Sequence, residues 1–375
     1  MNIKFLIAAV GLAFLQACGG SDNTTYNTLD GARPLVIAHR GASGELPEHT
    51  LEGYRRAIEQ GADFIEPDLV LTKDGVMVAR HEPVLDGTTD VAAKFPASRK
   101  TTKNLDGVPT TAYFASEFTL AEIKTLRAIQ PRTGRSTQYD GLYSIPTLDE
   151  VIALAKSTSR TVGIYPEIKH STFHATVAGF GANVFEDKLL ATLHAAFGNS
   201  ASAPVFIQSF EVSNLQYLNG KTSIKLVQLI DADDVNNDGS LSLVAPFRQP
   251  YDFVVKGDAR TFADLLTDPG LAFVKSYADA IGPWKPYLVK TVNDGVERTG
   301  DATLTAADRR VDGSTGVIER AHAKGLLVHT WTFRNDAGTY GFKDPQKEIE
   351  YYFKLGVDGL FTDFPATGVA ARAAI

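Results

Sequence analysis

Apolar positions in this chain fall into short runs separated by stretches with a helical period. Leu35-Val36-Ile37-Ala38 reads as a buried strand that runs into His39-Arg40-Gly41. A helical pattern follows over about His49 to Gln60. Phe64 to Leu69 reads as a second strand, followed by a Lys73-Asp74-Gly75 turn and a returning apolar run that ends at His81. Further on, strand patterns begin near residues 162, 205, 224, 279, 326 and 359. Helical patterns lie between most of them, at Val184 to Phe197, Glu211 to Asn219, Asp312 to Lys324 and Pro345 to Leu355, with a shorter patch at Ala121 to Ala128. Thr147 with Glu150 three residues on predicts a capped helix start. Strands alternating with helices predict an α/β fold. The count with the strand near residue 35 is that of a (β/α)8 TIM barrel with a small insertion after the second strand.

That insertion is placed at about 82–118, where Leu85-Asp86-Gly87-Thr88-Thr89-Asp90 leads into a Lys/Thr/Ser-rich stretch with no clear period. A segment so long inside a compact domain is commonly a functional loop or a small subdomain. Residues 131 to 141 read as loop. Asp234, Asn236, Asp238 and Gly239 imitate the start of a calcium-binding loop, but Ala245 stands where a bidentate glutamate belongs, so a polar loop is expected there.

The strand period gives the chemistry its first shape. Residues two apart share a face, so Glu66 and Asp68 point one way and Pro67 the other. Glu167 and Lys169 are paired by the same rule. His39, Glu66, Asp68, Glu167 and Lys169 all fall at strand C-terminal ends, the face where barrel enzymes carry their chemistry. Three carboxylates without a cysteine or histidine cluster describe an oxygen-ligand site for a hard divalent cation, Ca²⁺ or Mg²⁺. His170 and His174 follow a strand end and are candidates for the pocket wall. His194 reads as a surface or packing histidine.

The chain of 375 residues is 44% hydrophobic, ample for one large barrel domain over residues 34–375. Its net charge of -7 argues against nucleic-acid binding by a basic surface, though a locally positive pocket still suits an anionic substrate. Met1 to Ala17 has the form of a signal peptide, with Lys4 before the apolar run Phe5 to Leu15. A helix of about 11 residues rising about 1.5 Å each is too short for a bilayer core of about 30 Å. Leu15-Gln16-Ala17-Cys18 resembles the bacterial lipoprotein processing box, and Cys18 is the only cysteine in the chain. Residues 18–33, rich in Gly, Ser, Asn, Asp and Thr, then read as a flexible tether. The expectation is an exported, periplasmic lipoprotein that meets the membrane only through Cys18.

His39-Arg40-Gly41-Ala42, Pro47-Glu48-His49-Thr50, Gly61-Ala62-Asp63, Glu66-x-Asp68, Thr72-Lys73-Asp74-Gly75 and His81 occur in that order. Together with Tyr165-Pro166-Glu167-Ile168-Lys169 and Phe361-Thr362-Asp363-Phe364-Pro365, they closely resemble the signature of the glycerophosphodiester phosphodiesterase family, nearest its periplasmic bacterial branch. The resemblance implies release of sn-glycerol 3-phosphate and an alcohol such as choline or ethanolamine from small glycerophosphodiesters. It assigns His39 and His81 to acid–base catalysis. It also implies that the insertion is a subdomain lying over the site. The family usually has aspartate after this second histidine, whereas this chain has Glu82.

Charge fits that reading. Glu66, Asp68 and Glu167 sum to -3, a divalent cation brings -1, and a phosphodiester then gives -2, which Arg40, Lys169 and one protonated histidine can reverse. Arginine suits the phosphate because its donors form a planar fork. Glycerol's 2-hydroxyl can reach phosphorus within a five-membered ring, so a cyclic route competes with direct attack by water. Two other readings stand beside this one: a related barrel phospholipase C-type enzyme acting on intact lipid, and a non-catalytic phosphodiester-binding lipoprotein.

Overall fold

The computed structural model describes residues 25–375; the expected signal peptide, Cys18 and the start of the expected tether lie outside the described residues. Eight parallel strands form the barrel. They are β1 (Leu35–His39), β2 (Phe64–Glu66, resuming as Asp68–Leu71), β3 (Gly163–Ile164, resuming as Glu167–Ile168), β4 (Phe206–Ser209), β5 (Lys225–Ile230), β6 (Ala280–Pro283), β7 (Leu327–Phe333) and β8 (Gly359–Thr362). Each pairs with the next, and β8 pairs with β1 from Leu35↔Gly359 to Ala38↔Thr362, which closes the ring. Pro67 and Pro166 interrupt β2 and β3 because proline brings no N–H to the ladder.

The barrel interior explains where the chemistry sits. Ile37, Phe64, Tyr165, Phe206, Val227, Ala280 and Phe361 form a buried cluster, and Leu327 packs on it, so every strand contributes. Burying such side chains stabilises by roughly 1.5–3 kcal/mol each for the larger aliphatic and aromatic ones. Two residues further along the same inward face stand His39 after Ile37, Glu66 and then Asp68 after Phe64, Glu167 after Tyr165, Gln208 after Phe206 and Asp363 after Phe361. The apolar plug is thus the floor of the polar site. Outward-facing Val36, Ile65, Ile164, Ile207, Leu226, Ile281, Val328 and Leu360 pack against the surrounding helices in the main core.

Several helices follow the sequence pattern closely, among them Val184–Phe197 and Pro345–Leu355. The helix Leu148–Lys156 carries the expected capping box between Thr147 and Glu150. Two expectations change. The helix read from Asp312 starts only at Val317, because Arg310–Ser314 pairs with Val289–Val292 as a hairpin and Gly313 and Gly316, both at positive φ, break the helical run. The patch at Ala121 to Ala128 is helical only over Leu120–Ile123; Arg127 and Ala128 bridge instead to Ser144 and Thr89.

Past Leu71 the chain leaves the barrel. Met77–Ala79 returns antiparallel to β2, and a hairpin of Thr101–Leu105 and Val108–Ala112 follows. Val70, Val78, Leu85, Val91, Tyr113, Phe118, Leu126, Ala128 and Ile145 bury one another in a satellite core, so the excursion extends well beyond residue 118. At the opposite end of the barrel, the described residues before β1, expected to be a flexible tether, dock under the strands instead: Asn27 Nδ2 donates to the Lys354 carbonyl at 2.9 Å and Leu29 N–H to Asp358 Oδ1 at 2.7 Å, just before β8. Among the described residues no helix is long and apolar enough to cross a membrane.

Candidate active site

The strand ends carry a row of polar side chains in register. His39 lies opposite Glu66, Asp68 opposite Glu167, and Glu167 opposite Gln208. Glu66, Asp68 and Glu167 are buried, and each offers an oxygen within 4.8 Å of the other two. No other such group of His, Cys, Asp or Glu occurs among the described residues. The calcium-loop-like stretch bonds within itself, Ser240 donating to Asp238.

Charge crowding marks the cluster. Burial pushes the Glu66 carboxyl well above its ordinary range, and the Asp68 and Glu167 charges add to this. Burial lifts Glu167 to about 8, against the pull of Lys169. Asp68 is buried as well, yet Lys169, a bond to His49 and Arg40 hold it well below the usual range. Gln208 Nε2 donates to Glu66 Oε1 at 3.0 Å, and its own carbonyl oxygen is buried without a partner. Three hard carboxylate donors thus stand together, with an unpartnered amide oxygen on the neighbouring strand, and the carboxylate set fits a divalent cation.

Turns bring the cations. After β1 the chain reverses through Arg40 (φ 61) and Gly41 (φ 87), where a Cβ on Gly41 would lie 2.7 Å from the Gly53 carbonyl carbon. This turn aims Arg40 N–H at Glu66 Oε2 (2.8 Å) and its guanidinium at Glu48 (3.0 Å) and Asp68 (3.3 Å). Lys169 Nζ lies 3.0 Å from Glu167 and is buried. Fully buried Arg80 donates to the backbone carbonyls of Glu48 and His49, which fixes that loop.

His39 and His81 line one cavity of about 420 Å³ together with Arg40, Glu66, Glu167 and Lys169. His39 Nδ1 is 2.6 Å from Asp363 Oδ1. Despite its burial Asp363 is held well below the carboxylate range by His39, Arg334 and Arg135. An ionised Asp363 accepts the Nδ1 proton, so His39 turns Nε2 to the cavity. Burial and the Arg40 charge lower His39 to about 3, against the pull of Asp363, which keeps the ring neutral near neutral pH. His81 is partly buried, with Nδ1 3.1 Å from Glu82 Oε1. Partial burial, Arg40 and Lys169 lower its pKa, and Glu82 opposes them.

His170 lines the same cavity, beside Glu82 and Asp106. His174 does not: it is buried among Phe173, Phe180 and Phe185 with both ring nitrogens unpartnered. His194 bonds Thr222 away from the cavity. The remaining cavity wall is largely apolar, with Leu105 and Val108 from the hairpin and Phe210, Phe247, Tyr251 and Trp331 from loops and strands.

Several residues escaped the strand-period reading. His49 is fully buried, its Nε2 3.0 Å from Asp68 and its Nδ1 2.7 Å from the Tyr54 hydroxyl. Glu48, Gln208, Asp363, Arg334 and Arg135 also bond site residues. Asp363 carried a signal, standing two residues after an inward aromatic, whereas Arg135 comes from a loop with no periodicity.

Residues 39–367 match the glycerophosphoryl diester phosphodiesterase family. A glycerophosphodiester phosphodiesterase of Arabidopsis thaliana is 38% identical over 97% of this chain and 95% of its own length. One from Haemophilus influenzae is 31% identical over 98% of both. Among solved structures, an Oleispira antarctica phosphodiesterase in complex with the product sn-glycerol-3-phosphate is 17% identical, covering 92% of this chain and 99% of that one with a TM-score of 0.54, a likeness of fold. The chain belongs to the glycerophosphoryl diester phosphodiesterase family.

Proposed function

We propose that this enzyme hydrolyses glycerophosphodiesters to sn-glycerol 3-phosphate and an alcohol at a divalent-cation site of Glu66, Asp68 and Glu167, with His39 and His81 as the acid–base pair. The observation that carries the reading is the buried carboxylate triad, whose oxygens lie within 4.8 Å of one another beside the unpartnered Gln208 carbonyl. Calcium is the favoured ion, since magnesium usually takes only one or two protein carboxylates and keeps several waters. When bound, the cation supplies Lewis-acid charge to the phosphate.

The protein's own groups do the rest. Arg40 and Lys169 bind the phosphate oxygens. His39, neutral and oriented by Asp363, takes the proton of glycerol's 2-hydroxyl as that oxygen bonds phosphorus. Protonated His81 gives its proton to the departing alcohol as the old P–O bond breaks. Water then opens the cyclic phosphate with the two roles reversed. Holding the hydroxyl this close can contribute up to about 7–11 kcal/mol in favourable cases.

Small soluble diesters are favoured over intact lipid. The chain joins the barrel at the N-terminal ends of the strands, while the site opens at their C-terminal ends as a cavity of about 420 Å³, which supports a small soluble substrate. Export to the periplasm and lipidation at Cys18 complete the proposal. Cys18→Ser should release the protein from membranes or leave it unprocessed, and a wild type found wholly soluble would reject the anchor. The deciding experiment for the chemistry is turnover of a panel of glycerophosphodiesters with and without chelator, followed by readdition of calcium or magnesium. Full activity in a thoroughly stripped sample would overturn the cation site.

A further inference from the structure

We infer that Glu82, His170 and Asp106 form a positioning chain that holds His81 as proton donor to the departing alcohol, and that the insertion hairpin is the anchor of that chain. The inference rests on the assignment of His81 as the acid, and adds three residues to it.

The contacts run in one line. Glu82 Oε1 is 3.1 Å from His81 Nδ1, and Glu82 Oε2 is 2.9 Å from His170 Nε2. His170 Nδ1 is 2.7 Å from Asp106 Oδ2, and the other Asp106 oxygen is buried without a partner. Both nitrogens of His170 therefore face carboxylates, a geometry that needs a proton on each. Those two carboxylates raise His170 to about 10 despite its burial, so it stands as a fixed cation near neutral pH. Charges then alternate along the chain: Asp106 negative, His170 positive, Glu82 negative, His81 positive when it is loaded as the acid. With Nδ1–H directed at Glu82, His81 turns Nε2 toward the cavity.

Backbone geometry supports a dedicated device. Asp106 and Gly107 occupy the two turn positions of the hairpin, at φ 47 and 88, between Leu105 and Val108. Two positive-φ residues make the turn type that suits the twist of a tight hairpin. His170 is also left-handed, at φ 50. Non-glycine residues adopt that region uncommonly, and such strain clusters at functional sites. The hairpin tip leans on Tyr251, which lies 3.7 Å from where a Cβ on Gly107 would be. Glutamate at residue 82 makes the span possible. An aspartate would withdraw the carboxyl by about one C–C bond, ~1.5 Å, and could not hold both histidines from the same backbone position.

The test separates positioning from mere support of the fold. An alkyl alcohol such as choline needs a proton to leave, whereas p-nitrophenolate leaves without one. The first step alone, release of choline from sn-glycero-3-phosphocholine or of p-nitrophenolate from the p-nitrophenyl diester of glycerol 3-phosphate, is measured in a single turnover for wild type, His81→Ala, His170→Gln, Asp106→Asn and Glu82→Asp, because His81 also serves the later opening of the cyclic phosphate on either substrate. Asparagine keeps the turn propensity at residue 106, so that variant folds even where His170→Gln does not. We expect His81→Ala to lose roughly 10²–10⁴-fold on the choline ester, and the other three roughly 10-fold to 10²-fold, a part of that acid contribution. On the aryl ester the same three variants should stay within about twofold of wild type, by the same reasoning. If His81→Ala falls equally on both substrates, His81 is not the acid and the inference fails with that assignment. If His81→Ala is selective but the three variants are unchanged or lose equally on both esters, the positioning chain alone is overturned.

Discussion

Replacing Asp363 by asparagine should disable His39 while leaving substrate binding intact. The side chain is 1% exposed and has two committed oxygens. Oδ1 accepts from His39 Nδ1 at 2.6 Å, while Oδ2 accepts from Arg334 Nε at 2.9 Å and from Arg135 Nη2 at 2.6 Å. An amide has one acceptor end. Two guanidiniums claim it, so the NH₂ group faces His39 and donates to Nδ1. The ring proton is then forced to Nε2, the atom proposed above to receive the proton of the nucleophile. The imidazole stays in place in the wrong tautomer.

Loss of a general base costs roughly 10²–10⁴ in rate, equivalent to about 3–5 kcal/mol at 1.36 kcal/mol per decade. Arg40 and Lys169 are untouched, so KM should change little while kcat falls. Stability should fall too. Removing one partner of a buried charge pair costs about 3–5 kcal/mol, but Arg135 keeps a two-point contact with Asp336 at 2.7 and 3.2 Å, so the low end is expected here. The assay is steady-state kinetics on a glycerophosphodiester for Asp363→Asn, His39→Ala and the double variant. Because the two residues act as a unit, the double variant should be no slower than His39→Ala alone. A kcat within about twofold of wild type, or multiplicative losses in the double variant, would refute the tautomer argument.

Other outcomes follow from the same geometry. A substrate whose glycerol 2-hydroxyl is replaced by hydrogen should bind but turn over far more slowly; a normal rate would make water the nucleophile. Glu66→Gln should weaken calcium binding, read by titration calorimetry, with little change in the circular dichroism spectrum. Glu348→Ala strands Lys285, its partner at 2.8 Å with 1% and 0% side-chain exposure, and should lose about 3–5 kcal/mol in urea unfolding. His170 has a folded pKa of about 10, above its unfolded value of 6.5, so its contribution is fully present below pH 6.5 and fades as pH rises toward 10. The stability difference between wild type and His170→Gln should shrink across that window, and a difference that grows instead would contradict the charge assignment.

Strand-borne residues of the site were legible because the period of two that places apolar residues in the barrel also places the polar ones above them. Glu66 follows Phe64, Glu167 follows Tyr165, and both reach the cavity on the face that alternation dictates. The barrel itself was legible for the same reason, since eight buried strands leave eight apolar runs in the sequence. The excursion after β2 was legible as an insertion but not in its extent, because its satellite core draws single residues as far as Ala128 and Ile145 with no common period.

Turn-borne residues obey a different logic. Among the described residues, six non-glycine positions have positive φ, and four of them, Arg40, His49, Asp106 and His170, belong to the site. No periodicity reports a left-handed residue; Asp106 before Gly107 forms a dipeptide that announces a tight hairpin, but Arg40 gives no such sign. Yet these turns do what strands cannot. A strand projects its side chain along one fixed normal, whereas a reversal lets Arg40 send its backbone N–H to Glu66 and its guanidinium to Glu48 and Asp68. Carboxylates that must share a cation belong on rigid, parallel strands, where register alone keeps them close. Groups that neutralise or orient that cluster, such as Arg40 and His49, approach it from several directions. The chain supplies them from turns whose strain is held in place by the bonds they make.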